Sequence, residues 1–267
     1  QSGEHMVTLT ITDTSGKVSA ATRAVEVFAG LCPDAGEPIS MGTLPFEDLA
    51  GASGLVASLT EPEGLWTLGD SGAPATLFAT TSSGEALGSF PLEGAQNIDW
   101  EDITMGRGAS GAPSWIFVWD GGDNQGTREE VQVLMVEEPS LAAMSDAPLS
   151  PLPWSAMTFT YPEGQSANSD TLLFDPQSGD LLVVAKVPGA SESQVFRKVA
   201  PHLPESTTTL TWVANLTFGV APLEGATYPT AGAFSPLGDR FMLRTDDAAF
   251  VWLRDGAQSL KEALNAT

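Results

Sequence analysis

Two stretches decide the fold: Asp99-Trp100-Glu101-Asp102-Ile103, and Trp115-Ile116-Phe117-Val118-Trp119-Asp120 followed by Gly121-Gly122-Asp123-Asn124. Short apolar and β-branched runs of this kind are typical of buried strands. Each run carries acidic residues to a reversal of the chain. The same arrangement returns three more times in weaker form, and such a repeat of strands indicates a β-propeller.

The spacing of the repeat supports this interpretation. The predicted second strands end at residues 70, 120, 186 and 246, which are 50, 66 and 60 residues apart. Propeller blades take about 40–50 residues, and loops can hold the surplus. The turns 174–180 and 234–239 both place Pro and Gly between a first and a second strand. Unrelated hairpins in a β-sandwich stay open as the alternative.

We therefore predict an all-β chain in which residues 50–267 form about four blades of a β-propeller. The pattern predicts a Pro-rich excursion over 139–153, one strand over 208–216 and a short helix over 259–266. Residues 29–49 are rich in Gly and Pro and are predicted to be a linker.

Residues 1–28 alternate apolar and polar positions on both sides of the turn at 14–17, which predicts one hairpin. A lone hairpin cannot bury a face. Residues 3–13, with Gly16 and Val25-Glu26-Val27, resemble the last two strands of a PKD-type, immunoglobulin-like domain. The resemblance implies that the chain is part of a longer protein whose earlier strands lie upstream.

The charge balance excludes some partners. The chain holds 34 acidic and 11 basic residues, for a net charge of −23. This charge repels nucleic acid and anionic lipid and favours divalent cations or basic partners. Solubility, or adaptation to salt, is the alternative reason for it. No apolar run reaches the about 18 residues that a membrane span requires, so we expect no membrane insertion. We also expect the protein to be a monomer.

The single cysteine, Cys32, cannot form an internal disulfide, so any partner of its thiol lies outside this chain. No basic and apolar leader is present at the start, and we expect a signal peptide upstream of these residues.

The chain resembles a family of secreted bacterial β-propellers of uncharacterised role. The resemblance rests on residues 65–72, the two stretches quoted above, Arg128, residues 136–139, 172–180, Lys186, 235–236 and 243–245. More distantly, the chain is similar to the esterase-like phytase group and to calcium-binding propeller phytases. These resemblances imply an extracellular, cell-surface or periplasmic protein. They also imply a five- or six-bladed ring, of which residues 50–267 form about four blades and which is incomplete at its C-terminal end. The chain departs from the pattern at Asp170-Thr171, where Glu is expected.

In a propeller, loops that enter first strands and loops that leave second strands open onto the same end, which we call the mouth. Carboxylates gathered there repel one another and need a cation or basic partners. Ca²⁺ takes about six to eight oxygen ligands. The predicted metal ligands are Asp70, Asp99, Glu101, Asp102, Asp120, Asp123 and Asn124, and the predicted neighbours at the mouth are Asp170, Lys186, Arg244 and Asp246. Capping of turns by these Asp residues is the open alternative.

Three functions are compatible with these residues. The favoured one is an extracellular binding or scaffold propeller with an acidic mouth that holds Ca²⁺ and an unidentified ligand. The second is a metal-dependent esterase or phosphoesterase in which Glu101 is the catalytic acid or base. A sugar- or wall-binding module is a third possibility, which requires solvent-facing aromatic residues. Only His5 and His202 are present, which argues against a zinc site or a Ser-His-Asp triad.

Overall fold

The computed structural model describes residues 3–12, 18–27, 39–49, 51–107, 112–141, 151–187, 192–218, 228–245, 248–255 and 258–265. The predicted turn at 14–17, Cys32, Asp246 and most of the excursion at 139–153 lie outside these residues. Two antiparallel strands near the N-terminus, β1 (Gly3–Thr12) and β2 (Val18–Val27), form the predicted hairpin.

Four separate sheets follow, and they are the blades of a β-propeller. Blade I contains β3 (Ala52–Ala57), β4 (Gly64–Gly69), β5 (Thr76–Thr81) and β6 (Ala86–Pro91) in sequential antiparallel order. Blade II begins with β7 (Trp100–Arg107), β8 (Ser114–Asp120), β9 (Val131–Glu137) and β10 (Trp154–Thr160). The fold class is therefore as predicted, all-β with four blades.

Blade III contains β11 (Thr171–Phe174), β12 (Leu181–Ala185) and β13 (Glu192–Lys198). The predicted strand over 208–216 is two strands, because the chain changes sheets at the buried Leu210. The first piece, β14 (Thr207–Thr209), adds to blade II parallel to β10, and β15 (Thr211–Thr217) completes blade III. Blade IV contains β16 (Pro229–Phe234), β17 (Arg240–Thr245) and β18 (Ala249–Leu253).

The core lies between neighbouring blades, because both faces of a blade are covered. On β8, Ile116 and Val118 pack against blade I, whereas Phe117 and Trp119 pack against blade III. A third cluster joins blade III to blade IV and to the terminal helix α1 (Leu260–Asn265). This two-sided burial explains why the strands of the middle blades are nearly continuous apolar runs.

Helix α1 is confirmed close to its predicted position, and its start is a capping box. The backbone N–H of Ser259 donates to Glu262 Oε2 at 2.8 Å, and the N–H of Glu262 donates to Ser259 Oγ at 3.3 Å. No helix among the described residues combines the length and the apolar character that crossing a membrane requires.

The first strands of the blades, β3, β7, β11 and β16, lie side by side around the centre of the molecule. The approach of β3 to β7 is close at Gly54, where an added Cβ would lie 2.7 Å from the backbone nitrogen of Ile103. In each blade the second strand runs antiparallel to the first, so the start of the first strand lies beside the end of the second. These strand termini lie at the same end of the molecule in all four blades. That end is the mouth.

Candidate functional site

Three carboxylates from two blades meet at the mouth. Asp70 directly follows β4 of blade I, Asp99 directly precedes β7 of blade II, and Glu101 is the second residue of β7. One oxygen of each of the three lies within 4.8 Å of the other two. We call these three residues the acidic cluster. The structure thus brings together three of the seven predicted metal ligands.

Glu101 lies in a β-bulge in the pairing of β7 with β8. Trp100 pairs with Asp120 and Asp102 pairs with Trp119, so that Glu101 is the extra residue of the strand. Bulges re-aim side chains and are common beside functional sites. The hydroxyl of Ser53 on blade I donates to the backbone carbonyl of Glu101 at 2.6 Å. Because of the bulge, the consecutive acids Glu101 and Asp102 have different neighbours: Glu101 lies against Asp70 and Asp99, whereas Asp102 bonds to blade III.

Gly122 leaves space beside the cluster. A Cβ at this position would lie 2.6 Å from Glu101 Oε1 and would also overlap the carboxylate of Asp99. The backbone N–H of Gly122 donates to the carbonyl oxygen of Asp99 at 3.1 Å, which holds the loop against the cluster. No larger residue fits here without displacing the carboxylates.

Glu101 is a largely buried residue whose carboxyl lies close to other acidic groups. The residue is 8% exposed, and its side chain makes no hydrogen bond to another described residue. Burial, and then the charges of Asp170, Asp70 and Asp99, raise the pKa of Glu101 to about 9, although Lys186 opposes the shift. Burial and the charge of Asp70 also raise the pKa of Asp99. Without a cation, Glu101 therefore holds a proton at neutral pH.

Asp170 and Lys186 form an ion pair next to the cluster. Lys186 Nζ donates to Asp170 Oδ2, whereas the buried Asp170 Oδ1 has no hydrogen-bond partner among the described residues. Burial raises the pKa of Asp170, and the bond from Lys186 opposes this shift. Lys186 is thus the positively charged side chain beside four carboxyl groups, those of Asp70, Asp99, Glu101 and Asp170.

Asp102 on β7 joins blade II to blade III. Its Oδ2 accepts a hydrogen bond from the backbone N–H of Leu172 on β11 at 2.9 Å, and its Oδ1 accepts one from Ile103 at 2.8 Å. Burial raises the pKa of Asp102 well above its usual range, and these two hydrogen bonds oppose the shift. Asp102 therefore links the first strands of blades II and III, β7 and β11, by a hydrogen bond.

Asp120 is fully buried, and both of its oxygens accept hydrogen bonds. Arg128 Nη1 donates to Oδ1 at 2.9 Å, as does the backbone N–H of Asp99 at 3.1 Å. Gln132 Nε2 donates to Oδ2 at 3.0 Å. Asp120 therefore fixes the start of β7 behind the acidic cluster instead of joining it.

Asp123 caps the turn that follows β8. Its two oxygens accept hydrogen bonds from the backbone N–H groups of Thr127 and Arg128, each at 2.9 Å. Its exposed neighbour Asn124 accepts a hydrogen bond at Oδ1 from Asn168 Nδ2 at 3.1 Å. Turn capping, the alternative left open by the sequence, thus describes Asp123.

Arg244 and Asp246 are the two remaining predicted residues of the mouth. Arg244 is exposed near the end of β17, and Asp246 lies outside the described residues.

Two asparagines that the acidic motifs do not include, Asn97 and Asn168, hold the loops of the mouth. Asn97 Nδ2 donates to the carbonyl oxygens of Gly69 and Asp70, at 3.1 and 2.8 Å. Asn168 Oδ1 accepts from the backbone N–H of Asp123 at 2.8 Å. Each asparagine stands two residues before an acid of the mouth, Asp99 or Asp170. This Asn-x-Asp repeat is a signal that the sequence does contain.

Comparisons with known proteins give similar structures but no matching sequence. No protein-family model matches the sequence, and the search of curated proteins found no match. The β-propeller domain of Myceliophthora thermophila Cps50 (Swd1) is similar in structure, with 12% identity and a TM-score of 0.39 over 76% of this chain and 51% of that chain. Kuenenia stuttgartiensis hydrazine synthase shares 11% identity, with a TM-score of 0.37 over 73% of this chain and 56% of that chain. The chain therefore spans about half the length of each.

Proposed function

We propose that this chain is a binding or scaffold propeller whose acidic cluster binds a divalent cation, Ca²⁺ above all. The observation that carries the proposal is the buried carboxyl of Glu101, which has no hydrogen-bond partner among the described residues and lies against Asp70 and Asp99. A cation removes the mutual repulsion of these groups. Oxygen ligands from carboxylates are the ones that Ca²⁺ prefers.

The form of the cluster supports an extracellular role. Three carboxylates from two loops and a strand make a partial coordination sphere, and water must complete it. Such sites in extracellular modules bind Ca²⁺ with dissociation constants of about 10⁻⁴–10⁻³ M. We propose that the protein works outside the cytoplasm, as a monomer, and that its ligand reaches the cation at the mouth.

Calorimetric titration of the metal-free protein with CaCl₂ tests the proposal. We expect one site, together with release of protons because Glu101 must ionise to bind the cation. Asp99→Asn removes one charged ligand and is expected to weaken binding at least about tenfold. Glu93→Gln is the matched control, because Glu93 is an exposed acid outside the cluster. Equal affinity in both variants, or absence of binding in the natural protein, would overturn the proposal.

A metal-dependent hydrolase is the second candidate. A cation held by Asp70 and Asp99 would ionise the neighbouring Glu101, whose carboxylate would then lie beside the cation as a general base. The test is hydrolysis of p-nitrophenyl phosphate and p-nitrophenyl acetate in the presence of Ca²⁺ or Mg²⁺. Turnover that Glu101→Gln abolishes and Glu93→Gln retains supports the enzyme, whereas cation binding without turnover supports the scaffold.

A further inference from the structure

A groove lies between the loops of blades II and III, next to the Asp170–Lys186 ion pair. Its volume is about 600 Å³, which is within the usual range of pockets for small molecules, about 300–1,000 Å³. The loop after β8 forms one wall, and the segments before β11 and after β12 form the other. Polar side chains from these segments and from β13 line it: Asn124, Gln125, Ser166, Asn168, Lys186 and Gln194.

The walls of the groove are held in place by hydrogen bonds between the segments. Asn168 bonds both Asp123 and Asn124, as described above, and its carbonyl oxygen accepts from the backbone N–H of Lys186 at 2.8 Å. Ser166 Oγ donates to the carbonyl oxygen of Gly126 at 2.8 Å. The groove is therefore preformed, which lowers the entropic cost of binding a ligand.

The charged groups in the groove already have partners. Lys186 is paired with Asp170, and both oxygens of Asp123 accept backbone hydrogen bonds. An ionic ligand would have to break one of these interactions. The side-chain amides of Gln125 and Gln194, in contrast, make no hydrogen bond to another described residue. The groove thus offers neutral groups that both donate and accept.

A hydroxyl-rich ligand matches this lining better than a peptide does. Each sugar hydroxyl donates one hydrogen bond and accepts others. The side-chain amides of Gln125 and Gln194 can likewise both donate to and accept from such hydroxyls. Tyr228, directly before β16, adds an aromatic side chain to the lining. A peptide would use an open sheet edge or an apolar pocket, but β13 is paired on both sides with β12 and β15. We propose that this groove binds a neutral carbohydrate, independently of the cation at the acidic cluster.

Saturation-transfer NMR and calorimetry with maltotetraose, cellotetraose, xylotetraose and chitotetraose test the proposal, with EDTA present so that the acidic cluster is empty. We expect at least one of these sugars to bind at millimolar concentration or below. Gln194→Leu should weaken that binding about tenfold. Gln96→Leu, at an exposed glutamine of the blade I–II connection, should leave it unchanged.

Circular dichroism and the melting temperature confirm that both variants fold. Failure of all four sugars to bind overturns the proposal, as does wild-type affinity in Gln194→Leu. Binding of a random peptide mixture in place of the sugars also overturns it. Since EDTA is present throughout, these results are separate from those of the calcium titration.

Discussion

Gly122 decides whether the mouth has room for a cation. It carries no side chain where a Cβ would lie 2.6 Å from Glu101 Oε1, and its φ is not in the left-handed region that strains other residues. Gly122→Ala is therefore expected to fold but to lose cation binding at least about tenfold, because the methyl group occupies the space between the carboxylates. Calcium titration by calorimetry measures the loss. Calcium affinity equal to that of the natural protein would show that the cation lies elsewhere.

His202 gives a pH dependence that is separate from the acidic cluster. Its Nε2–H donates to the carbonyl oxygen of Gly179 at 2.7 Å, and the ring packs against Phe117. Burial lowers the pKa of His202, and the charge of Lys198 adds to this effect. Below a pH of about 6.5 the unfolded chain therefore binds a proton that the folded chain resists, so the free energy of unfolding must fall as the pH falls.

His202→Gln isolates this contribution, because glutamine keeps an N–H donor and does not titrate. We expect the free energy of unfolding in urea to fall more steeply in the natural protein than in the variant between about pH 7 and pH 5. The buried carboxyl groups of the mouth are present in both proteins and cancel in the comparison. Parallel profiles would mean that the pKa of His202 is the same in the folded and the unfolded chain, which would contradict the prediction.

At the scale of residues, the sequence predicted which acids approach the mouth but not how each one is used. Asp120 and Glu101 both belong to the stretches that decide the fold. Asp120 is satisfied by Arg128 and Gln132, whereas Glu101 has no hydrogen-bond partner among the described residues. Arg128 and Gln132 come after Asp120 in the chain, but only the pairing register of β8 against β9 brings their side chains to its carboxylate. The bulge at Glu101 depends likewise on pairing between strands.

At the scale of elements, a buried ion pair fastens blade IV to blade III. Arg254, after β18, donates from Nη1 to both oxygens of Asp175 at 3.0 and 2.9 Å, and the two side chains are 7% and 0% exposed. Arg254→Met leaves a buried carboxylate without its cation. We expect this variant to lower the free energy of unfolding by about 3–5 kcal/mol.

The double variant Arg254→Met, Asp175→Asn is the control for this prediction. It removes both charges, so its loss should be smaller than that of Arg254→Met alone. Urea unfolding followed by tryptophan fluorescence measures both, since Trp252 packs between these blades. An equal loss in the two variants would show that packing, and not the charge of Asp175, determines the stability of this junction.

The elements themselves were predictable where pairing is local. The observed second strands end at residues 69, 120, 185 and 245, within one residue of the prediction, because alternating apolar residues and turn signals mark each hairpin. The fourth strand of blade II, Trp154–Thr160, was missed behind the Pro-rich segment. The break at Leu210 was also missed, because β14 finds its partner β10 far away in the chain. The larger ring and the immunoglobulin-like origin of the hairpin stay predictions.

At the scale of the whole molecule, charge works against the fold. The chain carries a net charge of −23, and folding concentrates this charge into a smaller volume. Because salt screens repulsion between exposed charges, we expect the melting temperature of the metal-free protein to rise with NaCl by several degrees. A gain of about 1 kcal/mol corresponds to about 2–4 °C for a domain of this size.

Comparison of CaCl₂ with NaCl at equal ionic strength separates general screening from cation binding. Ligands that bind the folded state alone raise its stability according to their affinity, so CaCl₂ should raise the melting temperature further than NaCl. In the double variant Asp99→Asn, Glu101→Gln the two salts should act alike, since screening remains and the acidic cluster is lost. If the variant still distinguishes Ca²⁺ from Na⁺, the extra stability comes from other acidic residues of the surface. Scanning calorimetry of both proteins over the two salt series measures this difference.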